Sequence, residues 1–200
     1  WRNSDDGFVR DVHVSKLIID PNNNNVFYAT TQGATEYTDK VGDGAGVFKS
    51  TDRGESWKKI NNGLNSFETN VLVVDPNNSQ ILYLGTDDDG LYKSTDGGNS
   101  WDKLDVSAIS QSFGVGDIVV DPKNSNNIYL GTVDYFRLAE DRGVLGDFGI
   151  FASNDGGLTW REFNSGLRHL GVFTLELNPD TRILYAGTRA GGVYWIDLNG

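Results

Sequence analysis

The sequence predicts an all-β chain built from four repeats, each a meander of four short antiparallel strands. Three observations carry this reading. An eight-residue turn recurs as Ser50-Thr51-Asp52-Arg53-Gly54-Glu55-Ser56-Trp57, Ser94-Thr95-Asp96-Gly97-Gly98-Asn99-Ser100-Trp101 and Ser153-Asn154-Asp155-Gly156-Gly157-Leu158-Thr159-Trp160. Apolar runs of strand length end in Asp-Pro or Asn-Pro at Asp20, Asp75, Asp121 and Asn178. Glycine is abundant, at 25 residues, and helical periodicity is lacking, which suits short strands joined by tight turns.

In the shared pattern Ser-x-Asp-x-Gly-x-(Ser/Thr)-Trp each residue type has a job. The Ser and Asp oxygens accept hydrogen bonds from turn N–H groups, which is why such residues form turns. The Gly takes a backbone conformation that a Cβ would penalise. The Trp opens the next strand and carries a large apolar surface into the core. Each repeat then reads alike. The first strand is the apolar run, as in Leu72-Val73-Val74-Asp75-Pro76, and an Asn-rich turn follows in most copies, since Pro cannot continue a central strand. The second strand carries a Tyr, at Tyr28, Tyr83, Tyr129 and Tyr185, and in the last three copies Gly-Thr follows. The third begins at Gly46, Gly90, Gly149 and Gly192, with an aromatic two residues later. Four strands repeated four times is the signature of β-propeller blades, here as a single domain over 1–200 with units of about 1–56, 57–100, 101–159 and 160–200.

Trp1 lies 19 residues before Asp20, much as Trp57 lies 18 before Asp75, so Trp1 reads as the end of a turn motif. At the other end, Gly192 to Leu198 reads as a third strand with no motif after it. A closed four-blade ring joined through its termini and a sector of a larger propeller both fit. The closed ring is favoured because an open sector exposes two apolar blade faces. It would pair residues 1 to about 8 with Gly192–Asp197. Absent methionine points to a chain processed or excised from something longer.

The turn motif resembles the Asp-box (BNR) repeat family, and the chain is similar along nearly all its length to repeats of xyloglucanases, sialidases and sortilin-type receptors. The resemblance implies a propeller whose boxes join the third and fourth strands of each blade. Ser50, Asp52, Gly54, Trp57, Ser94, Asp96, Gly98, Trp101, Ser153, Asp155, Gly157 and Trp160 are then structural. For function it is less specific, since the family holds both enzymes and non-catalytic binding modules.

Two repeats carry long insertions between their second and third strands, from Thr31 to Gly46 and from Thr132 to Gly149. Long loops on a regular scaffold are where function concentrates. Their aromatics and charges make Tyr37, Asp39, Asp134, Tyr135, Phe136 and Arg137 candidate ligand-binding residues, joined by Asp87 and Asp88 of a minimal hairpin. Adjacent aromatics with a guanidinium stack on sugars or anchor a protein; they equally pin a loop to its own scaffold. Gly85-Thr86-Asp87-Asp88-Asp89-Gly90 resembles the Thr-Asp-x-Gly-Gly hairpin of xyloglucanase-type propellers, which makes Asp87 the one catalytic candidate. Asp89 stands where that hairpin has Gly. Glycoside hydrolysis needs a second carboxyl about 5–10 Å away, and none is identifiable by spacing. The expected reading of Asp87-Asp88-Asp89 is a solvated cluster, or one attracting Ca²⁺, although a calcium loop with alternating acids is absent. His13 and His169 read as structural, and no sialidase-type arginine motif precedes the first box.

The net charge of −11 disfavours nucleic acid and anionic membranes. No apolar run is long enough to span a bilayer. Absent cysteine removes disulfides, metal thiolates and thiol catalysis together. The expectation is a non-catalytic extracellular, cell-surface or periplasmic module that binds a glycan or a protein through its loop face, with no metal site and no cofactor unless Ca²⁺. A glycoside hydrolase of the xyloglucanase type, or part of one, is the first alternative. A structural or assembly domain of a larger secreted protein is the second.

Overall fold

The computed structural model describes residues 4, 6–8, 12–33, 44–109, 114–134 and 147–199. Among them the chain is all-β, in four antiparallel sheets whose strands follow chain order. The first holds β1 (Val12–Asp20), β2 (Asn23–Gly33), β3 (Val47–Ser50) and β4 (Lys58–Lys59). The second holds β5 (Thr69–Asp75), β6 (Asn78–Thr86), β7 (Leu91–Ser94) and β8 (Asp102–Lys103). The third holds β9 (Gly114–Val120), β10 (Ile128–Val133), β11 (Ile150–Ser153) and β12 (Arg161–Glu162). The fourth has three strands, β13 (Val172–Asn178), β14 (Ile183–Thr188) and β15 (Gly192–Asp197). Among the described residues no helix is long and apolar enough to cross a membrane.

The chain divides into two compact units, Trp1–Thr86 with Tyr92–Lys103, and Asp87–Leu91 with Leu104–Gly200. In the first unit, aliphatic and aromatic side chains of two neighbouring sheets meet face to face. Tyr28, Val47, Leu72, Leu82, Leu84 and Trp101 form its main cluster, and Ala29, Ala45 and Phe48 form a second against Phe8 and Trp57. The second unit is built alike from Tyr129, Ile150, Val172, Leu175, Leu177 and Leu184. Neither sheet of a pair could bury such a face alone, which is why the repeats stack.

The Asx-Pro turns have one geometry in all four sheets. The side-chain oxygens of Asp20, Asp75, Asp121 and Asn178 accept the N–H two residues on, at 2.8–3.0 Å. The three Asp are buried, so each needs a further partner. Asp20 takes the Ser79 hydroxyl of the next sheet at 2.7 Å. Asp121 takes both guanidinium arms of Arg182, at 2.7 and 2.6 Å. These bonds tie neighbouring blades within each unit.

Every first strand also bulges near its start, leaving Ser15, Asn70, Gly116 and Phe173 out of register with their partners. Bulges twist a strand end and re-aim its side chains, and these four sit beside the loops joining second to third strands. Residues 1–3 and 5 of the proposed closing strand lie outside the described residues. Ser4 and Asp6–Phe8 lie in the first unit: the Trp57 N–H donates to the Asp6 carbonyl at 2.8 Å, and Phe8 stacks on Phe48 with ring centroids 4.3 Å apart.

Candidate functional site

The recurrent aspartates, the first carboxylates to suspect of chemistry, are consumed by their own turns. Asp52 accepts the Ser56 hydroxyl at 2.6 Å, the Ser56 N–H at 2.9 Å and the Ser50 hydroxyl at 2.7 Å. Asp96 makes the same bonds with Ser100 and Ser94, and Asp155 with Thr159 and Ser153. The serine oxygens in turn accept the N–H of Gly54, Gly98 and Gly157 at 2.8–2.9 Å. Donation from the hydroxyl four residues on, followed by the other turn donors, holds all three carboxyls at about 2. A carboxyl at about 2 is no proton shuttle near neutrality.

These shifts carry a pH signature. A folded-state value below the ordinary 3.8 adds stability above pH 4, which is lost as pH falls through the folded value. Denaturant midpoints are therefore expected to fall between pH 4 and pH 2. A triple variant Asp52→Asn, Asp96→Asn, Asp155→Asn should start lower at pH 7 and show a flatter profile over that interval. A profile as steep as wild type would mean other carboxyls carry the acid sensitivity.

The opposite ends of the strands are organised differently. A threonine at or near the end of three of the second strands bridges the loop that follows, whether that loop is long or short. Thr31 Oγ1 donates to the Gly46 carbonyl at 2.8 Å and accepts the Ala45 N–H at 2.9 Å. Thr132 bonds Gly149 and Phe148 in the same way, and Thr188 bonds Gly192 and Gly191. The two long insertions have an added clasp. In the first unit Glu68 grips both ends of one, taking the Gly33 N–H at 2.9 Å and the Gly44 N–H at 2.7 Å. In the second unit the Asp147 carboxylate takes the Asp134 N–H at 2.8 Å and pairs with Arg189 at 3.7 Å. Arg189 also donates to the Asp134 carbonyl and lies over the Phe173 ring, 5.3 Å from its centroid.

Of the residues singled out by sequence, Tyr37, Asp39, Tyr135, Phe136 and Arg137 lie outside the described residues. Asp134 directly follows β10 as a buried residue at the base of its insertion. Asp87 departs from the expected solvated cluster: it is only 6% exposed, while Asp88 and Asp89 are half-buried. The reason is local. Asp87 directly follows the buried run that ends β6, so the strand carries it inward before the hairpin turns out. His13 is an exposed residue of β1 in the first unit, and His169 is exposed in the second, where its ring lies at Gly191 beside Tyr194. Sequence reasoning missed Glu68, Asp147, Arg189 and Phe173. Their one signal was position, each flanking an insertion or a short loop at a strand end. Among the described residues no three His, Asp or Glu side chains gather as a metal-binding group.

A search of curated proteins finds no match. Among solved structures, an ancestral GH74 enzyme matches with a TM-score of 0.71 at 26% identity, over 99% of this chain and 24% of that one. A GH74 enzyme from Niastella koreensis matches at 0.67 and 27% identity, over 93% of this chain and 29% of that one. The GH74 xyloglucanase from Xanthomonas campestris matches at 0.70 and 21% identity, over 92% and 29%. The chain thus spans about a quarter of the length of the solved proteins it matches. Their likeness and the four sheets agree on a β-propeller fold of antiparallel blades. A family model described as sortilin, neurotensin receptor 3, matches residues 45–145, just over half of the sequence, and the chain belongs to this Sortilin-Vps10 family.

Proposed function

We propose that this chain is a glycan-recognition module of an extracellular, surface or periplasmic protein, with Asp-box turns as scaffold and the loops between second and third strands of each unit as binding loops. The observation that carries the reading is the contrast between the two ends of the blades. At one end the carboxylates are saturated by their own turns. At the other, Glu68 and the Asp147–Arg189 pair hold the bases of long insertions, one carrying Tyr37 and Asp39 and the other Tyr135, Phe136 and Arg137. Fixing a loop at its base lowers the entropy lost when the loop orders on a ligand. The net charge of −11 favours a neutral polysaccharide over an anionic one.

A second reading, glycoside hydrolysis, draws on the buried Asp87 in its Thr86-Asp87-Asp88-Asp89-Gly90 hairpin and on 26–27% identity to GH74 enzymes. Calorimetric titration with xyloglucan oligosaccharides, with product analysis alongside, tests both. Saturable binding without released sugar is expected. The Tyr135→Ala, Phe136→Ala double variant should bind about 10–100-fold more weakly, the cost of losing buried aromatic anchors. Release of oligosaccharide that vanishes in Asp87→Asn would replace recognition by catalysis. Equal binding by wild type and double variant would remove that insertion from the site.

A further inference from the structure

Matched positions in the repeats carry different charges. In the first three blades the residue just before the Asp-box serine pairs across the strands with the residue just after the box tryptophan. In the second blade these are Lys93 and Asp102, of opposite sign. In the third they are Ala152 and Arg161. In the first they are Lys49 and Lys58. Directly opposed residues of an antiparallel pair share a face, with Cβ atoms about 5 Å apart, and like charges there destabilise the sheet. The chain carries 28 acidic residues against 17 Lys and Arg, so opposed lysines do not follow from its composition.

Both lysines border one cavity of about 380 Å³ at the box end of the first unit. Lys49 Nζ donates to the Gly97 carbonyl at 2.7 Å and lies over the Tyr28 ring, 5.3 Å from its centroid. Lys93 lies over Tyr83 at 5.2 Å in the same way, so the two blades differ in the residue opposite the lysine. Burial pulls the Lys49 ammonium below its ordinary value, against the field of Asp20 and Asp96. Lys58 is exposed, and among the described residues no carboxylate pairs with it. Asp52 and Asp96 are saturated by their own turns, and neither lines the cavity. The rest of the wall is amphipathic. Trp57 and Ile60 supply apolar surface. The Ser56 hydroxyl and the Asn99 amide also border it; each donates within a box turn and keeps oxygen lone pairs.

We propose that this cavity binds a hexuronate, its carboxylate set between Lys49 and Lys58 in the place that Asp102 takes beside Lys93. The carboxylate answers the opposed lysines with charge-assisted hydrogen bonds. The sugar hydroxyls find acceptors at Ser56 and Asn99, and the C–H face of the ring meets Trp57 and Ile60. The volume lies near the lower end of the range for small-molecule pockets, which suits one sugar ring and not a chain segment. The net charge of −11 repels anions at long range. Screening limits that field to about 8 Å at physiological salt, so the two ammonium groups dominate inside the cavity. The site sits at the other end of the strands from the loops assigned to neutral glycan, and does not depend on them.

Titration of residues 1–200 with methyl glucuronide, methyl glucoside and acetate, followed by NMR of Trp57, tests this. A saturable shift with methyl glucuronide at a Kd of about 1 mM is expected, the scale a single small sugar reaches. Methyl glucoside and acetate should each bind at least tenfold more weakly. Equal binding of acetate overturns the sugar, and equal binding of methyl glucoside overturns the role of the lysines. No saturation by methyl glucuronide at about 50 times the expected Kd overturns both. Lys58→Asp copies the second blade. It should abolish binding and raise the urea midpoint, because an opposed ion pair replaces like charges. Lys58→Gln should weaken binding at least tenfold with circular dichroism unchanged. Undiminished binding in both variants rejects the site, and a lowered midpoint in a folded Lys58→Asp refutes the like-charge strain behind it.

Discussion

Replacing Arg182 with Ala is expected to destabilise the second unit by about 3 kcal/mol, read as a lowered urea midpoint with an unchanged slope. Asp121 is fully buried, and both guanidinium arms of Arg182 reach it at 2.6–2.7 Å. Burial pushes the Asp121 carboxyl up, but the Arg182 fork, the Lys123 N–H and Asn127 together bring it below its ordinary value. Removing one partner of a buried pair costs roughly 3–5 kcal/mol, because the other charge is left without its counter-ion. The arginine side chain retains 17% exposure, which places the loss at the low end of that range.

The pH dependence separates this account from lost packing. In the wild type Asp121 contributes stability above its unfolded value that is lost as pH falls through the lower folded value. In Arg182→Ala burial dominates, the folded value rises above the unfolded one, and acidification from pH 7 toward pH 5 should recover part of the loss. Arg182→Lys keeps the charge without the two-armed geometry and should fall between the two. A loss in Arg182→Ala that is independent of pH would point to packing of the arginine stem instead.

What the sequence revealed and what it hid divide by distance along the chain. The recurrent turns were legible because their donors and acceptors lie within four residues of each other, as from Ser50 to Ser56. The Asx-Pro turns are equally local. Blade order followed, since a meander of short strands with these turns has few other ways to fold. The clasps were not legible. Glu68 meets Gly33 across 35 residues and Arg182 meets Asp121 across 61, and nothing local in either pair announces the other. Arg182 even sits at a positive φ of 61°, a conformation that residue type does not advertise. Asp87 misled for a related reason. Three acids in a row read as solvated, but burial is set by where β6 points and not by charge density in sequence.

Gly63→Ala is expected to be the more damaging of two matched glycine substitutions, costing on the order of 4 kcal/mol or more in the first unit. Gly166→Ala should cost only about 1–2 kcal/mol. Both glycines hold a left-handed backbone, with φ of +93° and +82°, so the conformational penalty of a Cβ is shared. The difference is what that Cβ would meet. At Gly63 it runs into the backbone carbonyl of Trp101, where neither side can yield by rotating a side chain. Making room means moving Trp101, which is 3% exposed and bonded to the Asn62 and Ile60 carbonyls. Truncating or displacing a buried aromatic of that size costs roughly 3–5 kcal/mol, and the lost indole bond leaves a buried donor as well. Nothing lies within 4 Å of a Cβ at Gly166, so only the backbone strain remains there. Urea unfolding followed by tryptophan fluorescence compares the two. Equal losses would mean that backbone conformation alone selects glycine at both positions, and that the Trp101 carbonyl exerts no steric demand.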